Sequence, residues 1–153
     1  MNKLLMILAA TIELMSRNVK ETAEPGYDAE LAASLGADDY GMKMYTLVML
    51  KTGPSQESDK TVLDSLFRGH LNNISKLAEE GKLVVAGPLA ENDKDYRGIF
   101  ILAATSKDEV DILMADDPAI ASGVLAVEYY DWYGSAALSQ YLEVHKQIEK
   151  VKP

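Results

Sequence analysis

Two segments that read as β-strands are apolar on both of their faces. In Tyr96 to Ala104, Ile99, Ile101 and Ala103 point one way and Phe100, Leu102 and Ala104 the other, because side chains alternate with a period of two. In Tyr45 to Leu50, Tyr45, Leu47 and Met49 share one face and Thr46, Val48 and Leu50 the other. An antiparallel sheet with one wet face alternates apolar and polar residues instead. A sheet made of these strands therefore needs cover on both sides.

The neighbouring segments supply part of that cover. From Val62 to Glu80, Leu63, Phe67, Ile74 and Leu77 recur at helical spacing with one gap, and His70 fills the gap. Ser58 or Asp59 can cap this helix and Gly81 stops it. Leu83 to Leu89 reads as a strand broken at Gly87-Pro88. Ser106 and Glu109 form a capping box ahead of a second helix whose apolar face is Val110, Leu113 and Met114. Asp117-Pro118 ends or kinks it, since proline disfavours helical geometry at the residue before it. Val124 to Tyr133 is the last strand.

The order is β-α-β-β-α-β. This is an α+β, ferredoxin-like arrangement with one antiparallel sheet and both helices on one face. The other face then needs a second cover. We expect a homodimer packed sheet to sheet; the alternative is that the chain's own terminal segments lie there.

The chain divides into a segment 1–43, a domain 44–134 and a tail 135–153. In the first segment, Lys3 precedes an apolar run from Leu4 to Ile12, too short to span a membrane and interrupted by Glu13. Leu14-Met15-Ser16-Arg17 resembles the end of a bacterial lipoprotein signal, with Arg17 where the lipidated cysteine would stand. Arginine has no thiol to acylate, so no stable membrane anchor is expected, and both an exported and a cytoplasmic location stay open. Lys20 to Gly41 reads as a tether containing a short helix, Asp28 to Leu35, with Leu31 and Leu35 on one side and Gly36 as its stop. In the tail, Leu142, His145, Ile148 and Glu149 fall at helical spacing.

Charge and composition remove several function classes. A net charge of −9 with no Lys/Arg stripe argues against nucleic acid and anionic lipid as partners. The chain has no cysteine and two histidines, His70 and His145, far apart, so no metal site is expected. No G-x-S-x-G elbow, phosphate loop or dinucleotide fingerprint occurs, and no cofactor is expected.

What remains is acid–base chemistry. His70 is the only histidine of the domain, and an imidazole beside a carboxylate can take a proton near neutral pH. Asp117 is a candidate partner. The competing reading makes His70 a hydrogen-bonded core histidine and Asp117 a helix-end residue. Gly87 and Pro88 form either a pocket wall or a strand-end turn. Arg97 either holds an anionic substrate group or pairs with Asp93 or Asp95 at the surface. Tyr129, Tyr130, Trp132 and Tyr133 line a pocket or pack in a core or interface. Asp116 and His145 read as solvent-facing.

Several of these residues occur together in order: Arg68-Gly69-His70-Leu71, Leu77 to Leu83 (LAEEGKL), Ala86-Gly87-Pro88, and Asp116-Asp117-Pro118-Ala119 followed by Gly123. From about Met44 to Gly134 the chain resembles the YciI-like (YCII-related) family. Tyr96-Arg97-Gly98 and Trp132-Tyr133-Gly134 extend the resemblance to an exported, lipoprotein-like branch. The resemblance implies a ferredoxin-like dimer of the α+β barrel type and a His–Asp active site, which falls on His70 and Asp117. A few family members are tied to the breakdown of chlorinated aromatic compounds. The expected function is therefore a cofactor-free enzyme moving a proton on a small, cyclic or aromatic molecule by isomerase, lyase or dehydrochlorinase-like chemistry. The alternatives are a non-catalytic ligand-binding or regulatory dimer and a structural dimerisation domain.

Overall fold

The computed structural model describes residues 26–151. The signal-like reading of Met1 to Arg17 lies outside them. Helix α1 (Ala29–Leu35) starts at Asp28, whose carboxylate accepts the Leu31 amide, and ends at Gly36. It is followed by β1 (Met42–Thr52), α2 (Lys60–Glu79), β2 (Leu83–Pro88) and β3 (Tyr96–Leu102). Then come α3 (Lys107–Ala115), α4 (Pro118–Ala121), β4 (Leu125–Ser135), a 3₁₀ turn (Ala136–Gln140) and α5 (Tyr141–Ile148).

The four strands form one antiparallel sheet in the order β2-β3-β1-β4. This is the arrangement expected of a split βαβ fold. The two long strands reach beyond their apolar centres. β1 and β4 pair from Met42↔Ser135 to Thr52↔Leu125. Periodicity sees only the apolar middle; polar ends such as Lys43 and Lys51 join the ladder through their backbone.

One face of the sheet is packed under helices. Val48 and Leu50 of β1 and Phe100 and Leu102 of β3 meet Leu77 of α2 and Val110 and Met114 of α3. The opposite face carries Tyr45, Val84 and Ile101, with Leu47, Val85, Ala103 and Trp132 beside them. Leu138 of the 3₁₀ turn packs on that cluster, and the Tyr141 hydroxyl donates to the Val84 carbonyl at 2.5 Å. The tail thus covers one end of the second face, as the alternative to the dimer required of part of it. Toward the other end, Lys51 pairs with Glu128, and the hydroxyls of Tyr96 and Tyr130 both donate to that carboxylate.

Of the two residues able to cap α2, Asp59 does so, accepting the amides of Thr61 and Val62. Two local expectations change. The capping box at α3 is half formed: Ser106 accepts the Glu109 amide, but the Glu109 carboxylate goes to Lys82 instead of turning back. A lysine offers that carboxylate a charged partner, whereas the cap offers one neutral amide. The segment before β1 is fastened to the domain as well, since Lys43 donates to the Leu35 carbonyl at 3.1 Å and the Tyr133 hydroxyl to Asp38.

Candidate active site

His70 stands at mid-helix on the side of α2 that faces the sheet. Its stripe continues through Asn73 and Leu77, three and seven residues on, all buried. The ring stacks on Phe100 of β3, centroids 5.7 Å apart, and meets Phe67 edge-on at 6.3 Å. Two aromatic neighbours and 8% residual exposure fix the imidazole in one orientation.

Asp117 reaches His70 from the other side of the helix layer. It is fully buried, and its side chain caps the short helix α4. One oxygen, Oδ1, accepts the amides of Ala119 at 3.0 Å and Ile120 at 3.3 Å. The other, Oδ2, lies 2.8 Å from His70 Nδ1 and accepts Asn73 Nδ2 at 3.3 Å. The Asp-Pro step read as a helix end is therefore also a helix start: aspartate caps and proline takes the first helical position, where its missing N–H costs nothing.

Glycine makes the meeting possible. A Cβ on Gly69 would lie 2.8 Å from Pro118 Cγ. The bare backbone of α2 thus lets α4 come close enough for the residues beside each contact, His70 and Asp117, to touch.

Electrostatics assign the protons. Burial pushes the Asp117 carboxyl up, but the hydrogen bond and charge of His70, the Asn73 amide and the Ile120 N–H outweigh it, leaving the carboxyl below its ordinary value. Asp117 is thus a carboxylate at neutral pH. It accepts a hydrogen from Nδ1, so the neutral ring carries its proton there and its lone pair on Nε2. Nε2 has no hydrogen-bond partner among the described residues. An arrangement of this kind can accept a proton at Nε2 and stabilise the resulting imidazolium with the buried carboxylate.

The other candidates are scattered. Gly87 pairs with Ile99 on the face of the sheet away from His70, so it is not brought to the pair. Pro88 sits opposite Gly98 at the end of edge strand β2, where a missing N–H is tolerated. Arg97 does not pair with Asp93 or Asp95, and it forms no ion pair among the described residues. It lines a cleft with Phe67 instead. The four aromatics do not share a pocket: Trp132 packs on Tyr45 at 5.6 Å, Tyr130 and Tyr133 bond to Glu128 and Asp38, and Tyr129 lies on the helix-covered face. Asp116 and His145 are exposed. Among the described residues no three His, Cys, Asp or Glu side chains gather as a metal site, and no helix is long and apolar enough to cross a membrane. Sequence reasoning missed Asn73. Its signal was position, since a polar residue three after His70 on an apolar stripe needs a buried partner.

No curated protein matches the chain. Among solved structures the chain is similar to 5-chloro-2-hydroxyhydroquinone dehydrochlorinase from Burkholderia phenoliruptrix, solved with 2,5-dihydroxybenzoquinone. The two are 26% identical over 59% of this chain and 93% of that one, with a TM-score of 0.42. The model of the YCII-related domain matches residues 44–133. That span holds the whole sheet but for its outermost residues, both helices and the His70–Asp117 pair, and it leaves the lipoprotein-like reading of the first segment without support. The chain belongs to the YCII-related domain family.

Proposed function

We propose that this chain is a cofactor-free catalyst of proton transfer on a small molecule, with His70 as general base and Asp117 as the carboxylate that orients it. One observation carries the reading: a fully buried carboxylate with both oxygens engaged holds Nδ1 at 2.8 Å, which leaves Nε2 for the reaction. In an elimination the substrate C–H bond breaks and its proton goes to Nε2. The electron pair becomes the new double bond, and the leaving group departs with its own pair. In an isomerisation the same proton returns to a different carbon. Asp117 stabilises the transient imidazolium in both cases.

The deciding measurement follows the His70 Nδ1–H resonance by NMR in wild type and Asp117→Asn. Nδ1 lies 2.8 Å from the carboxylate, and a hydrogen bond to a charged acceptor is stronger than one to a neutral amide, so the resonance should move upfield in the variant. An unmoved Nδ1–H resonance would overturn the base assignment. Ligand binding without turnover, surviving His70→Ala, would point to a regulatory module.

The same reading includes a second copy, in a dimer of the barrel type, on the part of the sheet that the tail leaves open. Tyr130 there is 49% exposed, beside the half-buried Leu47, Met49 and Ile99. Sizing with light scattering tests it, and monomer mass would sink it.

A further inference from the structure

The strands β1 and β3 fall out of register at one place. Leu50 pairs with Gly98 but Lys51 with Tyr96, so Arg97 is the extra residue of a β-bulge. A bulge redirects a side chain out of strict alternation. Here Arg97 joins the wall of a cleft of about 380 Å³ at the end of the helix layer, together with Thr52, Ser55, Glu57, Leu63 and Phe67. That volume suits a small ligand.

The wall has two kinds of surface. Leu63 and Phe67 are apolar, and Phe67 is 41% exposed although its ring touches His70. Arg97 supplies a permanent positive charge with no carboxylate partner among the described residues. Glu57 is the opposing charge. One of its oxygens, Oε1, is occupied by the amides of Ser58 and Asp59, each at 2.8 Å. A chain of net charge −9 repels anions in general, so an unpaired arginine in a concave wall is a local exception. Glu57 restricts it further, disfavouring a multiply charged group and leaving room for a single negative charge.

We infer that this cleft is the substrate subsite and that Arg97 selects small monocarboxylates with an apolar body. The carboxylate lies on the guanidinium and the body on Leu63 and Phe67, with the far end directed along α2 toward His70. The inference rests on the proton-transfer reading for its meaning, but not for its test.

Benzoate, benzamide and inorganic phosphate serve as probes, titrated into the full chain and followed by backbone and side-chain NMR. Benzoate is expected to shift Leu63, Phe67 and Arg97. Benzamide should bind about tenfold more weakly, the size of one charged hydrogen-bonded contact, and phosphate should not compete. Arg97→Gln should weaken benzoate by about the same factor and leave benzamide unchanged. Arg97 is exposed, so the variant should fold; Glu57→Gln, which relieves repulsion, should tighten benzoate. Equal affinity for benzoate and benzamide, indifference to Arg97→Gln, or shifts centred elsewhere would overturn the subsite. The two readings fail separately. A benzoate site with no His70–Asp117 coupling removes the base and keeps the subsite, and coupling with no benzoate site does the reverse.

Discussion

The two faces of the sheet are both apolar at their centres and have different fates. On the helix side Val48, Phe100 and Leu102 are within 1% of complete burial. On the other side Tyr45 and Val84 are buried in a smaller cluster, flanked by Trp132 and packed by Leu138 of the tail. Farther along, that face carries an ion pair joined by two tyrosine hydroxyls, with Tyr130 half-exposed. The comparison teaches that apolarity specifies the need for cover, not what provides it. It also shows where the chemistry is built: the polar pair His70–Asp117 sits on the covered side, and among the described residues no fully enclosed side-chain nitrogen or oxygen lacks a partner.

The sharpest way to break the contrast is to empty the covered side. Phe100→Ala should cost about 3–5 kcal/mol in urea unfolding and also free the His70 ring that stacks on it. Next comes Asp117→Ala, which strands His70, Asn73 and two amides, and should cost about 2–3 kcal/mol. This loss has a pH signature. The folded carboxyl lies below its unfolded value of about 4. Its contribution is therefore fully present above that value and is lost as pH falls through the lower folded one. Wild type should thus lose stability in acid more steeply than the alanine variant. Gly69→Ala should cost about 1–3 kcal/mol by pushing Pro118 away, and NMR should show Nδ1 separated from Asp117. The smallest effect on unfolding is expected on the open side. Met49→Lys, at a half-buried site facing away from the helices, should change monomer unfolding by about 0.5 kcal/mol or less while abolishing a sheet-to-sheet dimer in light scattering. An unchanged mass would separate that face from any interface.

Much of this was legible from residue order. The period of two located the strand centres, and the gap at His70 in an apolar stripe put it on the buried side of its helix or at the edge of that side. The limits have physical causes. Strand ends are held by backbone pairing, which periodicity does not register, so β1 and β4 run longer than their apolar centres. An aspartate before proline is compatible with both a helix end and a helix start, so α4 was hidden. Glu109 had two possible partners, and Lys82 is near only after folding. Leu138 is one apolar residue of the tail, and nothing local says which surface it meets. Of the site, His70 and Asp117 came from their chemistry and from resemblance. Asn73 and the cleft around Arg97 required the third dimension, because a bulge and a cross-helix contact leave no periodic trace.

Because one oxygen of Asp117 closes the first turn of α4 and the other holds His70, the state of the ring can be read from a distant isotope clock. The Ala119 and Ile120 amides exchange with solvent hydrogen only when that carboxylate lets go. Any molecule that draws His70 away should speed their exchange, and any that tightens the pair should slow it. Deuterium uptake at two backbone positions would then report occupancy of the site before a substrate or a colour change is known.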